Sequence, residues 1–400
     1  MKAVILAAGK GTRMRPLTDE RPKPLLPVAG KPIIEHSIEA LDFVEEIIIV
    51  AGFRIEEFRQ RYSDNQKIRI VEQEEALGTG HAALQARQFV DGKTVILNGD
   101  DIYGESLKQV ENVDTGVQVF EHDRPEEFGV FEVDEKNRVV GLTEKPDNPA
   151  SNLVNTGVYV VEEDFFEILE EVELSERGEY EITDGLKKYI KQRELEFFEA
   201  EQWMYCSYPW NLIEANKSLM KGLEPEIEGE VDETAKIKGN AVIKEGAEVK
   251  ENCVIEGPCI IKEGAEIGPN AYIREFSLIG KNSKVGNNSE VKNSILMEEA
   301  ALPHFNYVGD SVIGRKVNLG AGFKTANLRN DGKTVEFNVK GDSMDTGREK
   351  LGVVIGDNSK IGVNSVTNPG AKIGSNVLTD SLERIKNITS GKKFKDGEIE

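Results

Sequence analysis

The sequence predicts two folds in succession, an α/β domain over residues 1–223 and a parallel β-helix over residues 224–400. Three observations carry that expectation: a length beyond the reach of one hydrophobic core, short apolar runs alternating with amphipathic segments in the first half, and a strict six-residue period in the second.

In the first half, Ala3-Val4-Ile5-Leu6, Ile47-Ile48-Ile49-Val50 and Thr94-Val95-Ile96-Leu97 read as parallel strands buried on both faces. Segments 33–41 and 80–90 carry helical spacing instead. Together they predict a sheet with helices on both sides and a ligand crevice at the carboxyl ends of the strands.

In the second half, ten consecutive six-residue blocks begin at Ala235, Ala241, Ala247, Cys253, Cys259, Ala265, Ala271, Ser277, Ser283 and Ser289. Two positions later each block carries an aliphatic residue, from Ile237 and Ile243 through to Val285 and Val291. A helix cannot hold that period on one face, whereas a coil of three flat sides can, with the aliphatics stacked inside. The pattern lapses after Met297, resumes at Ser311 and Val317, lapses again over 327–352 and returns from Val353. Such lapses are expected to be loops outside the coil, where function often sits. Cys253 and Cys259 share the small-residue column and read as packing residues.

Seventy-two acidic against 50 basic side chains give a net charge of −22, which argues against nucleic-acid or anionic-membrane partners. Phosphate would then need a local basic site. No apolar run approaches the roughly 20 residues of a membrane span, and Met1-Lys2 leads straight into a strand. Three cysteines without metal-ligand spacing offer no disulfide framework. The expectation is a soluble cytoplasmic protein.

After the first strand comes Leu6-Ala7-Ala8-Gly9-Lys10-Gly11-Thr12-Arg13-Met14-Arg15-Pro16-Leu17, then Arg21-Pro22-Lys23-Pro24. A glycine-containing loop at a strand end brings backbone N–H groups against phosphate oxygens, and Arg13 and Lys23 supply charge. A lone Gly-x-Gly is no more than a turn, but the whole string resembles the signature of the sugar-1-phosphate nucleotidylyltransferases. Glu72-Gln73-Glu74-Glu75-Ala76-Leu77-Gly78-Thr79-Gly80, Asn98-Gly99-Asp100, Phe128-Gly129-Val130, Glu144-Lys145-Pro146 and Asn155-Thr156-Gly157 follow in that family's order.

The resemblance implies a Rossmann-like nucleotidyltransferase domain in which Leu6, Ala8, Gly9, Gly11, Gln73, Gly78 and Thr79 bind the nucleoside triphosphate. Arg13 would neutralise its β- and γ-phosphates, and Lys23 would hold the sugar 1-phosphate for in-line attack. Gln73 can read a pyrimidine edge because its amide both donates and accepts. Gly129, Glu144 and Asn155 would receive the sugar, and Asp100 would ligate Mg²⁺, a hard ion that prefers carboxylate oxygen. Many relatives place a second metal-binding Asp or Asn two residues after a Trp; here Trp203-Met204 is followed by Tyr205, with Asn211 as a substitute by another approach.

The second chemical segment is Leu302-Pro303-His304-Phe305-Asn306-Tyr307-Val308-Gly309-Asp310. It resembles the H-x-x-Y-x-G-D string of the bifunctional bacterial and archaeal enzymes that acetylate glucosamine 1-phosphate and uridylylate the product, and the likeness runs on through Asn318, Ala321, Asn327 and Lys333. This implies a left-handed β-helix of hexapeptide repeats, acetyl-CoA as co-substrate and a homotrimer. An ammonium must lose a proton before it attacks a thioester, and an imidazole suits that task near neutrality. His304 would be the base, a backbone N–H near Ala321 the oxyanion donor, Arg274, Lys292, Tyr307 and Lys333 the phosphate grip, and Asn318 and Asn327 orienting groups. Glu336 departs from the second lysine that some archaeal relatives have. Two other readings stay open here: a monofunctional glucose-1-phosphate uridylyl- or thymidylyltransferase with a structural β-helix, and a catalytically silent regulatory subunit.

Overall fold

The computed structural model describes residues 1–136, 138–395 and 398–399, so residues 396–397 and 400 of the expected second domain lie outside the described residues. The chain forms two compact units. The first comprises Met1–Lys10, Pro22–Leu25 and Ile33–Tyr205; the second comprises Gly11–Arg21, Leu26–Pro32 and Cys206–Glu400.

The first unit is built on β1 (Lys2–Ala7), β2 (Ile47–Ala51), β3 (Ile68–Glu72), β4 (Thr94–Asn98), β5 (Gly116–Glu121), β6 (Gly129–Val133), β7 (Arg138–Glu144), β8 (Leu153–Val161) and β9 (Leu195–Glu199). They lie side by side in the order β3-β2-β1-β4-β8-β5-β9-β7-β6. The first four are parallel, as expected from their continuous apolar runs. Beyond them the sheet is mixed, because β8 runs antiparallel to both β4 and β5.

Alternation along each strand assigns side chains to two cores. Val4, Ile48 and Ile96 pack with α3 (Thr79–Gln85), α4 (Asp164–Glu170) and α5 (Ile182–Tyr189), burying Ala83, Phe165, Phe166 and Leu186. Ile5, Ile49 and Val95 face the other way, against Ile34 of α1 (Ile33–Ala40) and Phe58 of α2 (Ile55–Arg61). Helices therefore cover both faces, and β1 and β4 end together where Gly99 N–H bonds the Leu6 carbonyl at 2.9 Å. A Cβ on Gly99 would come within 2.8 Å of Ile5, so only glycine lets the chain turn tightly there toward Asp100.

The second unit is a solenoid of short parallel strands in three columns. Residues 18 apart pair in register: Ile237 with Ile255, Ile255 with Ile273, Ile273 with Val291. The aliphatic column from Ile243 to Val291 is fully buried, and the small residues beside it are too. Serines fit that column because each hydroxyl donates to a backbone carbonyl on the next turn, Ser283 to Met297 at 2.8 Å and Ser289 to Leu302 at 3.3 Å. Cys253 and Cys259 are buried there, and burial pushes the Cys259 thiol up to about 12.

Corners are marked by residues with positive φ, at Asn282, Asn288, Asn293, Glu299, Phe305, Asp310 and Lys316. The spacing is six except for two steps of five, 288 to 293 and 305 to 310. This corrects the expectation that the lapse after Met297 is a loop. The coil continues through it, and two sides are each one residue shorter, so pairing shifts from 18 to 17 residues, as at Val291 with Val308. His304 accordingly ends a strand, Ala301–His304, one residue before the corner at Phe305. The lapse over 327–352 does leave the coil. It carries an antiparallel hairpin, Glu336–Val339 with Asp342–Asp345, and is clipped at its base by pairing of Leu328 with Lys350.

Ile279 is fully buried between Ile261 and Leu296, so Ile279→Ala should destabilise the second unit by about 2–5 kcal/mol, seen as a lower thermal midpoint. Val363→Ala on the solvent side, 43% exposed, should shift it by no more than about 0.5 kcal/mol.

Candidate functional sites

The first site is described within the first unit alone. Lys23 sits in the short helical turn Lys23–Leu25 and is buried; its ammonium meets Asp100 Oδ2 at 2.6 Å. The Lys23 side chain is 8% exposed and that of Asp100 38%, so the pair opens to solvent from the carboxylate side.

Gly129, Glu144 and Asn155, far apart in sequence, are brought together by pairing of Gly129 with Glu144 and of Val130 with Val154. A Cβ on Gly129 would lie 3.0 Å from Glu144 Oε2 and 3.5 Å from Asn155 Cβ. The Asn155 amide is oriented twice: its oxygen accepts from Gly157 N–H at 2.9 Å, and its nitrogen donates to the Tyr159 hydroxyl at 2.9 Å. Tyr159 is buried and its phenol is raised above its ordinary value by desolvation, which keeps it neutral.

Gln73 is buried at the end of β3. Its amide nitrogen lies 3.1 Å from the Gly78 carbonyl and 3.0 Å from His81 Nδ1, so Gln73 and Gly78 are joined directly. Gly78 has φ +106 and packs on Tyr180, whose carbonyl would lie 2.6 Å from a Cβ there; Thr79 caps the arrangement by accepting Ile182 N–H at 3.0 Å. Leu6 and Ala8 are buried at the end of β1, whereas Gly9 is exposed with open space where a Cβ would be.

Tyr205 lies in an aromatic cluster rather than standing alone: its ring is edge-on to Phe128 at 5.3 Å and tilted to Trp203 at 5.6 Å. Pairing of Met204 with Ile102 holds that segment beside the Asp100 turn. Asn211 falls in the second unit and is occupied in the capping box of α6 (Pro209–Met220), where its oxygen accepts Tyr208 N–H at 2.9 Å.

Asp100 alone suits Mg²⁺ in the common mode of one carboxylate plus substrate phosphates and water. Among the described residues no cluster of three or more His, Cys, Asp or Glu side chains forms a preassembled metal cage.

In the second unit, Gly11 adopts the left-handed conformation, its carbonyl accepting Met14 N–H at 2.9 Å and the Thr18 hydroxyl at 2.8 Å. Arg13 is exposed, its guanidinium 5.8 Å from the centre of the Tyr208 ring.

The residues expected at an acetyl-transfer site sort by column. Arg274, Lys292, Tyr307 and Asn327 follow one column, where Glu290 pairs with both Tyr272 and Tyr307. Arg274 meets Glu290 at 3.0 Å, Lys292 meets Asp310 at 3.4 Å, and Asn327 donates to Asp310 at 2.5 Å and to the Tyr307 hydroxyl at 3.4 Å. His304 and Asn318 belong to a neighbouring column, exposed, with Asn287 opposite His304. Gly322 N–H bonds the His304 carbonyl at 2.9 Å and Asn364 N–H the Ala321 carbonyl at 2.8 Å, which ties the Ala321 turn to the His304 strand. Lys333 is exposed in the inserted segment, and Glu336 accepts the Ser343 hydroxyl at 2.8 Å.

Sequence reasoning gave no role to Asp310, Tyr159 or His81, although all three hold residues it singled out. Asp310 could have been found, since a carboxylate three residues after Tyr307 in a lysine- and asparagine-rich coil has partners ready.

A nucleotidyl transferase family model matches residues 2–222, and a model of the GMPPB C-terminal domain matches residues 255–341. The bifunctional protein GlmU of Methanocaldococcus jannaschii is 45% identical over 378 residues, 94% of this chain and 92% of that protein. GlmU of Methanococcus maripaludis strain C7 is 48% identical over 382 residues, covering 94% and 93%. A bifunctional sugar-1-phosphate nucleotidylyltransferase/acetyltransferase of Sulfurisphaera tokodaii is 40% identical over 94% of both chains. Among solved structures, a provisionally assigned glucose-1-phosphate thymidylyltransferase from Bacillus anthracis, crystallised with sucrose, is 29% identical with a TM-score of 0.51 and covers 56% of this chain and 97% of its own. With its first half matched by that family model and 94% of its length matched at these identities, the chain belongs to the nucleotidyl transferase family and, within it, to the bifunctional GlmU proteins.

Proposed function

We infer that the protein transfers a nucleotidyl group from UTP or dTTP to N-acetylglucosamine 1-phosphate or glucose 1-phosphate, releasing pyrophosphate, and N-acetylates glucosamine 1-phosphate from acetyl-CoA. The observation that carries this reading is likeness to bifunctional relatives along both halves rather than the first alone. It weighs against both a monofunctional enzyme with an inert tail and a silent subunit. Functional domains of 1–223 and 224–400 accord with the family match over 2–222. A left-handed hand for the coil, trimeric assembly and a cytoplasmic location belong to the same reading; no described helix is long and apolar enough to cross a membrane.

In nucleotidyl transfer the sugar phosphate oxygen attacks the α-phosphorus and pyrophosphate departs. Lys23 grips the incoming phosphate, and Arg13 offsets charge on the leaving group, so catalysis is chiefly positioning and neutralisation. Asp100 would hold Mg²⁺, which supplies further neutralisation when bound. Gln73, with Gly78 and Thr79, reads the base; the loop from Leu6 through Ala8 and Gly9 to Gly11 receives the triphosphate; Gly129, Glu144 and Asn155 take the sugar hydroxyls.

In acetyl transfer His304 removes a proton from the sugar ammonium, the freed nitrogen attacks the thioester carbon, and the thiolate leaves with a proton. Backbone N–H at Ala321 offsets the oxyanion. Arg274, Lys292, Tyr307 and Lys333 hold the acceptor phosphate, while Asn318 and Asn327 orient the acceptor and the imidazole.

A product assay with UTP or dTTP and each sugar phosphate, run beside acetyl-CoA with glucosamine 1-phosphate, tests both activities. Lys23→Ala and Asp100→Ala should each slow pyrophosphate release at least about a hundredfold and leave acetyl transfer intact. Rates equal to the parent would remove both residues from the site.

His304→Ala should slow acetyl transfer by about 10² to 10⁴ while nucleotidyl transfer persists. The comparison belongs across a pH series, because a hydroxide-assisted background in the variant would rise with alkalinity. An unchanged rate at neutral pH would make His304 a coil residue only.

A further inference from the structure

Within the second unit a pocket of about 450 Å³ opens between α6, the coil and the inserted segment. Its cations are Lys217 from α6, Arg274 and Lys292 from the coil, and Arg348 and Lys350 from the end of the insertion; Glu275, Asp310 and Glu349 are the facing carboxylates. An excess of positive charge in one pocket is notable in a chain of net charge −22.

The five cations are not equivalent. Arg274 is bonded to Glu290 at 3.0 Å, Lys292 to Asp310 at 3.4 Å and Arg348 to Glu214 at 2.8 Å, so a carboxylate already offsets each. Lys217 and Lys350 form no ion pair among the described residues. Both are nevertheless placed. Lys217 Nζ lies 5.1 Å from the centre of the Phe276 ring, and Lys350 is fixed by its backbone pairing with Leu328 at the base of the insertion. Asp310, whose side chain is 4% exposed, is turned inward by Asn293 at 2.7 Å and Asn327 at 2.5 Å, so the pocket charges without an ion pair among the described residues are Lys217 and Lys350 on one side of the balance and Glu275 and Glu349 on the other.

We propose that Lys217 and Lys350 complete the acceptor-phosphate site beside Arg274 and Lys292 and make the second activity selective for a phosphorylated amino sugar over the free one. The inference rests on the acetyl-transfer reading above and adds two residues to it, one contributed by α6 and one by the insertion. A phosphate monoester brings a second negative charge and three acceptor oxygens, which suits two unpaired ammonium groups next to two paired cations.

Full-length Lys217→Ala/Lys350→Ala, whose altered side chains are exposed and structurally undemanding, is compared with the parent using glucosamine 1-phosphate and unphosphorylated glucosamine as acceptors. The KM for the phosphorylated acceptor should rise about tenfold or more, with kcat, the KM for acetyl-CoA, turnover of free glucosamine and nucleotidyl transfer unchanged. Lys217→Arg/Lys350→Arg should restore most of the loss. An unchanged acceptor KM, or a rise confined to acetyl-CoA, overturns the assignment while acetyl transfer by the parent stands. Calorimetric titration of glucosamine 1-phosphate into Lys23→Ala protein, with and without the two lysines, separates the two ideas. Lysine-dependent binding without acetylation by the parent would uphold the pocket and sink the acetyl-transfer reading; lysine-independent binding would sink the pocket.

Discussion

In-register pairing between successive turns of the solenoid fixes where the polar groups on the coil strands stand. Once Ile237, Ile255, Ile273 and Val291 stack inside, alternation sends their neighbours outward in equally strict columns. Glu290 is aligned with Tyr272 below and Tyr307 above, so charged and hydroxyl groups remote in sequence meet at the strand spacing. Arg274, Lys292, His304, Tyr307 and Asn318 need no special folding of their own, being placed by burial of the aliphatic side chains inside the coil, whereas Lys333 stands on the inserted segment.

The same constraint explains which parts of the coil were legible in the sequence. Ten blocks without a slip announce a repeat because the inner side chain cannot vary its position. The stretch around His304 was misread as an excursion because two sides are shorter by one residue each. A shorter side brings the corner one position early, to Asn293 or Asp310, and leaves the strand intact, yet it destroys a period counted along the sequence. Periodicity is therefore a stricter criterion than the structure applies. The stack tolerates a missing residue at a corner and would not tolerate one inside a strand.

In the first unit β1, β2 and β4 were readable from apolar runs and α1 and α3 from helical spacing, and the order of motifs pointed to Gly129, Glu144 and Asn155 as one group. The mixed half of the sheet was not. Val154-Asn155-Thr156-Gly157-Val158 contains an irregular register against β5, and no local pattern says that a strand will insert antiparallel between β4 and β5. Support for the site was hidden for a similar reason. Tyr159 acts through a hydrogen bond to Asn155 four residues back along a strand bent at Gly157, a contact that ideal strand geometry would place on opposite ends of the same face.

Tyr205 shows how a departure from a family pattern can be absorbed. A carboxylate at that position would have to stand among Phe128 and Trp203, next to the turn that carries Asp100. The tyrosine ring fills the space by edge-to-face contact, worth about 0.5–1.5 kcal/mol per pair beyond area burial, and it links Phe128 to the Asp100 turn through Met204. The Tyr205 contacts and the Met204–Ile102 pairing tie this segment to the turn that carries Asp100. Under the proposed reading, a single carboxylate at Asp100 with water and substrate phosphates would meet the coordination habits of Mg²⁺, the triphosphate supplying the remaining oxygens.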